Sequence, residues 1–211
     1  MTLIYGYLFY YFSALIGHSI GYHRYFAHRA FNTTPVFEIV MLFFGLICGG
    51  RSPLMWAAVH RMHHSKSDTS DDPHSPIYVG MWKVLTSRFK VNYVPRKYLI
   101  DLLKNKRIMF FHKYGKYLHL TYAIIFLFLG IEYFFIFVAI PFIMSWISFG
   151  FLNYFAHRNG KPEDVVWLNL FAPGEAWHKS HHNKPMSIRL HKYDIAGVLI
   201  ERIFTKSKSS S

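Results

Sequence analysis

Cysteine is nearly absent from this chain: one residue, Cys48, in 211. A lone thiol excludes an intrachain disulfide, and its place inside an apolar run reads as packing. Charge is scarce as well. Charged residues make up 17% of the sequence, against about a quarter in soluble domains. Hydrophobic residues reach 52% and aromatics 19%, so the deficit favours a membrane protein. Acidic residues are the scarcest, 11 against 24 basic, for a net charge of +13. That excess is not spread evenly. Residues 51–116 hold 13 basic and 4 acidic side chains, residues 158–211 hold 9 and 5, and residues 117–157 hold only Glu132. A strongly basic chain is first read as a nucleic-acid binder. Such a protein would not leave some 40 consecutive residues with one charge, so no nucleic-acid partner is expected. The start of the chain lacks a basic n-region, so no cleavable signal is expected. No internal repeat is visible. The reading is one domain, 1–205, with a polar tail at 206–211.

What is abundant is apolar length. Residues 3–22, "LIYGYLFYYFSALIGHSIGY", match the roughly 20 residues needed to cross a bilayer. The block from Tyr117 to Ala156 is twice that, with a break at Gly130-Ile131-Glu132. It reads as a hairpin with arms at about 113–129 and 133–156. Residues 35–50, "PVFEIVMLFFGLICGG", are short for a span and suit an interfacial or re-entrant segment. The positive-inside rule puts the two basic blocks on the cytoplasmic side. The expected fold is therefore an all-α, multi-pass membrane helical bundle.

Histidine is the chemical signal. Nine of the 14 histidines fall in four clusters: His23 and His28 in "HRYFAH"; His60, His63 and His64 in "HRMHH"; His157, four residues after Asn153; and His178, His181 and His182 in "HKSHH". Residues at i, i+3 and i+4 share a helix face, so each HxxHH predicts three imidazoles aimed at one point. His23 and His28, five apart, lie about 140° apart on an ideal helix and need a helix end or a distortion to converge. Every cluster lies at the edge of an apolar block, or in the loop after one, on the same predicted side. One HxxH is a weak signal, but nine neutral imidazoles gathered on one face neither solubilise a surface nor pack as apolar groups. They predict a histidine-rich di-metal site on the cytoplasmic side, because nine nitrogens exceed the capacity of one metal. Imidazole suits zinc, copper, iron and nickel, so spacing leaves the element open. Asp68, Asp72 and Glu175 are placed to accept from the far ring nitrogens and orient the ligands. Asp71 is read as offsetting nearby cations. The other five histidines, His18, His74, His112, His119 and His191, are read as structural or interfacial, with ligand orientation as the alternative for His18. Trp56, one turn before His60, is the candidate for a substrate-channel wall.

"HRYFAHRAF", "HRMHHSKSDTSDDPHSP", "NYFAHR" and "GEAWHKSHHNKP" together resemble the histidine boxes of the integral-membrane fatty-acid desaturases of the stearoyl-CoA type, over roughly residues 15–190. The resemblance implies that His23, His28, His60, His63, His64, His157, His178, His181 and His182 hold two irons, with Asn153 acting through a water. It implies O₂ as co-substrate, a long acyl thioester or acyl lipid as substrate, and an external electron donor of ferredoxin or cytochrome b5 type. It also implies a double bond as product and a membrane setting, the cytoplasmic membrane in a bacterium or the endoplasmic reticulum in a eukaryote. An unactivated methylene offers neither an acidic proton nor an electrophilic carbon, so side chains alone cannot attack it, and the metals and O₂ must supply the oxidising power. Relatives carry a hairpin before the first box, where this chain has one span from Leu3. Two rivals stay open. One is a hydroxylase or ketolase on the same scaffold. The other is a non-catalytic membrane metal-binding or transport protein, which predicts charges in the middle of several spans.

Overall fold

The protein is described by a computed structural model over residues 1–50 and 52–206. The tail expected at 206–211 lies outside those residues except for Lys206. Helix α1 (Thr2–Ala14) runs on into a π-helical segment, Leu15–Ala27. Helix α2 (Pro35–Ile47) begins where the Thr34 side chain accepts from the Phe37 N–H, with proline in the first turn. Its 13 residues fall short of the roughly 20 a crossing needs. It lies against the π segment so closely that a Cβ on Gly17 would sit 2.1 Å from Gly45 N. Only glycine lets the two backbones meet there.

Helix α3 (Pro53–Lys66) repeats the same start, with Ser52 Oγ accepting from Met55 N–H at 3.1 Å. Two short helices, α4 (Pro76–Val79) and α5 (Met81–Leu85), and two 3₁₀ turns lead to α6 (Lys106–Leu129). The Asn105 side chain caps α6 by accepting from Arg107 and Ile108 N–H. The helix starts seven residues before the arm expected from 113, because that cap and the buried Ile108 and Phe111 extend it below the apolar stretch. Gly130, at φ +138°, makes the break. A continuous helix then runs through α7 (Ile131–Phe134), a π turn (Phe135–Ala139) and α8 (Ile140–Phe155). Glu132 sits at the tip of the hairpin and accepts from Thr2 Oγ1 at 2.9 Å. After a 3₁₀ turn come α9 (His178–Asn183) and α10 (Ile195–Ile203).

The fold is mostly helical. Among the described residues it departs from the all-α expectation only by two-residue strands, β1 (Phe31–Asn32) and β2 (Thr205–Lys206), paired antiparallel. Among the described residues, Ile131–Phe155 is the one helix both long and apolar enough to cross a membrane. The rod formed by α1 and the π segment turns polar from His18 to Arg24, and α6 carries Lys106, Arg107, Lys113 and Lys116 in its first half.

The buried core gathers Phe26 and Phe31 with Met41 and Leu42 of α2, Leu54 of α3, Ile108 of α6 and Ile200 of α10. Two arginines pin the π segment to this core. Arg61 donates from Nε to Ala27 O (2.7 Å) and from Nη2 to Phe26 O (2.8 Å), satisfying the last carbonyls of the segment, and it also forks onto Asp101. Arg24 is 1% exposed and pairs through both Nη atoms with Asp194, ahead of α10.

Candidate metal centre

The π segment answers the five-residue spacing of the first cluster. A π-helix bonds i to i+5, and His28 N–H donates to His23 O at 3.1 Å. His28 therefore lies one turn beyond His23, the rings edge to face with centroids 5.1 Å apart. The distortion required by the spacing is built into the helix.

The spacing of each HxxHH box predicts one point of convergence, and in the structure each box instead divides between two. At 100° per residue, i and i+4 lie about 40° apart, while i+3 swings about 60° the other way. On α3, His60 and His64 join His23, His28 and His181, while His63 turns toward His157, His178 and His182. On α9 the split is reversed: His178 and His182 enter the second group and His181 the first. The nine histidines thus form a cluster of five and a cluster of four, and each box bridges both. Within each group one nitrogen per ring lies within 4.8 Å of all the others.

The Nε2 atoms face one another. His23–His181, His28–His60 and His181–His64 stand 2.8, 2.8 and 2.9 Å apart, and His157–His178 and His182–His178 stand 2.7 and 3.1 Å apart. Three of the far nitrogens meet carboxylates. His23 Nδ1 lies 2.7 Å from Glu175, His63 Nδ1 2.9 Å from Asp72 and His157 Nδ1 2.9 Å from Asp68. A carboxylate on Nδ1 fixes the tautomer that donates there and leaves Nε2 as a lone pair. Lone pairs held this close repel unless a cation lies among them, and buried His63 Nε2 has no protein partner. Ligands about 2.1 Å from a metal sit about 3.0 Å apart when adjacent and 4.2 Å when opposite in an octahedron. The observed spacings match that frame, so both donor sets fit a metal ion, and five donors exceed the four that structural zinc takes.

The electrostatics agree. Burial pushes the His64 imidazole down to about 3, helped by His23 and His157, and neutral imidazole is the form that binds metal. Burial alone would raise the Glu175 carboxyl, but His23 and Arg24 hold it below the usual range. Ser19, not singled out by its sequence, donates to its other oxygen at 2.6 Å. Burial raises Asp72 to about 6 although His74 and Asp68 N–H donate to it. Asp68 reaches His157 from a left-handed backbone, φ 58°, a conformation aspartate tolerates better than most side chains. Asp71 instead pairs with Lys66 at the surface, 3.2 Å away. Replacing Glu175 with Gln is expected to weaken metal retention against a chelator by about 10–100-fold, with the melting temperature of the metal-free protein little changed. Unaltered retention would remove Glu175 from the site.

A cavity of about 410 Å³ runs along both clusters, touching His23, His60, His63 and His178. Trp56 lines it, its ring stacked on His60 at 5.1 Å. Asn153 is buried in the same wall, with Nδ2 donating to Phe149 O at 2.9 Å. His157 lies just past the end of α8. His18 is in the wall but its Nε2 donates to Gly45 O at 3.1 Å, and it joins neither cluster. His74, expected to be structural, stacks its ring on His63 at 4.2 Å and lines the cavity. The "DPHSP" run carried that signal. His112, His119 and His191 stay away from both clusters.

The fatty acid desaturase family model matches residues 1–210. The chain is 28% identical over 185 residues to the Delta-9 desaturase-like 5 protein of Arabidopsis thaliana, covering 81% of this chain and 62% of that protein. It is 26% identical over 200 residues to the sn-1 stearoyl-lipid 9-desaturase of Anabaena variabilis, covering 86% and 71%. It is 29% identical over 218 residues to a hex-5-enoyl-[acyl-carrier protein] acetylenase of Moorena producens, covering 80% and 62%. The chain therefore spans only about three-fifths of the length of two of these three relatives. With the histidine boxes and the match over nearly every residue, the chain belongs to the fatty acid desaturase family.

Proposed function

We propose that the protein is an O₂-dependent fatty acyl desaturase that places a cis double bond in a long acyl chain. The observation that carries this reading is a mostly apolar cavity lying against both histidine clusters at once. The relatives named for lipid-bound 9-desaturation support an acyl substrate. Two irons held by the five- and four-histidine clusters would supply the redox chemistry: O₂ becomes two waters, taking two hydrogens from adjacent methylenes, two electrons from an external donor and two protons from solvent. The chain's own residues then have distinct tasks. Met55, Trp56, Val59, Phe149 and Leu152 give the cavity an apolar lining that holds a methylene run and excludes water. Glu175, Asp72 and Asp68 hold protons on Nδ1 of His23, His63 and His157, keeping each Nε2 turned inward. Asn153 offers an amide at the wall beside His63 and His178, placed to hold a water.

In this reading the α1 rod, α6 and the helix 131–155 are the membrane passes, and α2 lies at the interface. The histidine clusters face the cytoplasm, where the basic segments also belong. The excess of basic side chains suits an acidic donor of ferredoxin or cytochrome b5 type. Gas chromatography of lipids from a host with and without the gene tests the proposal. A new monounsaturated acyl chain, absent with His63→Ala, is expected. A hydroxylated or keto product instead would establish the rival oxygenation, and an unchanged profile with an active donor present would refute catalysis on acyl chains.

A further inference from the structure

Away from the histidine cavity, and sharing no lining residue with it, a groove of about 520 Å³ runs between α2 and α6. Its walls are Ile39 and Phe43 of α2 and Phe111, Leu118, Tyr122 and Ile125 of α6. Ile39, Phe43 and Ile125 are 48%, 41% and 51% exposed, so no part of the described chain fills it. Of its two hydroxyls, Tyr122 donates inward to Phe137 O at 3.1 Å and Thr121 is exposed, leaving the groove a mostly apolar surface. From Phe110 to Ile125 the helix rises about 22 Å, between one leaflet and the full hydrocarbon core of about 30 Å.

One end is different. Lys106 and Arg107, adjacent at the start of α6, form the rim of the groove. Glu38 takes the Arg107 Nε donor at 2.5 Å, the Asn105 amide at 3.1 Å and the Tyr25 hydroxyl at 2.5 Å. Its charge and acceptors are thereby spent. Among the described residues, exposed Lys106 has no ion pair and no partner engages the Nη atoms of Arg107. The rim carries a net positive charge with free donors, at the head of a bare apolar channel. Basic pockets between membrane helices recognise anionic lipid headgroups.

We propose that the α2–α6 groove is a binding site for one anionic phospholipid, with an acyl chain along α6 and the phosphate on Lys106 and the outer Arg107 nitrogens. The site is independent of the catalytic reading, because the groove and the histidine cavity share no residue. Glu38 offsets one of the two cations, which leaves about one net charge to discriminate. A cation near a membrane surface is worth about a fivefold preference for an anionic lipid.

The test is native mass spectrometry of delipidated protein incubated with vesicles of equal phosphatidylglycerol and phosphatidylcholine. The expected result is one retained lipid per chain, with phosphatidylglycerol favoured about fivefold. Lys106→Gln, which leaves the Glu38 bridge intact, should bring the ratio near parity while a lipid is still bound. Thr121→Trp, which fills the groove from an exposed position, should remove the retained lipid at an unchanged melting temperature. Equal uptake of both lipids by the unmodified protein, or an undiminished preference in Lys106→Gln, would overturn the assignment. So would a dimer mass that Thr121→Trp abolishes, since a second copy would then occupy the groove.

Discussion

With the two metals proposed for the histidine clusters, His182→Ala should cost the protein one of them and leave the other in place. His182 belongs to the four-histidine cluster, with His63, His157 and His178. Its loss leaves three imidazoles, one short of the set that holds a closed site. The five-histidine cluster keeps His23, His28, His60, His64 and His181 and should stay loaded. His181→Ala is the informative partner, although the two residues are neighbours on α9. It leaves four donors in its cluster, so metal content should fall less than in His182→Ala. Both variants should lose more turnover than the roughly 10–100-fold expected for an outer carboxylate, because each alters the proposed donor set itself. Metal analysis by mass spectrometry, with the exposed His112→Ala as control, reads the outcome. Loss of both metals in both variants would mean a single coupled centre. Full retention in His182→Ala would exclude that residue as a ligand.

How much of this was legible in the sequence depends on what each feature costs to hide. Nine imidazoles in four runs are visible because neither a surface nor a core uses them in that pattern. Spacing also carried the need for a distortion between His23 and His28, but not its form, since the π segment depends on packing against α2 at Gly17 and Gly45. The division into five and four was not legible. An HxxHH run fixes angles around its own helix, and whether one point or two lie beyond it depends on where the other helices stand. Asp68, Asp72 and Glu175 could be nominated from their proximity to the boxes. Ser19 could not, because its partner is 156 residues away. The cavity and the α2–α6 groove are properties of helix pairs, and no single segment encodes them. Arg24 and Arg61 hid in plain view inside the boxes, where the histidines draw the eye. Their partners Asp194 and Asp101 lie 170 and 40 residues on.

Removing either member of the Arg24–Asp194 pair should be the most damaging change outside the histidines. Arg24 is 1% and Asp194 0% exposed. The guanidinium donates to both carboxylate oxygens, at 2.9 and 3.0 Å, and to the carbonyls of Ile188 and Gly174, at 2.6 and 2.8 Å. Asp194 also accepts from Leu190 and Gly197 N–H, the second of these capping α10. A charge stripped of its partner in such a place costs about 3–5 kcal/mol, whereas removing both charges costs less because neither remains unpaired. Arg24→Leu alone should therefore lower the unfolding free energy in detergent by about 4 kcal/mol, and Asp194→Leu somewhat more, through the lost α10 cap. The double variant should be less destabilised than the two single losses combined, by more than about 1 kcal/mol. The damage should also reach the metal. Arg24 follows His23 and its carbonyl partner Gly174 precedes Glu175, so the clamp holds both ends of the His23–Glu175 contact. Metal should leave the five-histidine cluster faster than the four-histidine cluster in Arg24→Leu. A single-variant loss below about 1 kcal/mol, the range of an exposed pair, would show that the clamp is incidental to the fold. Uniform release from both clusters would show that it does not act through His23.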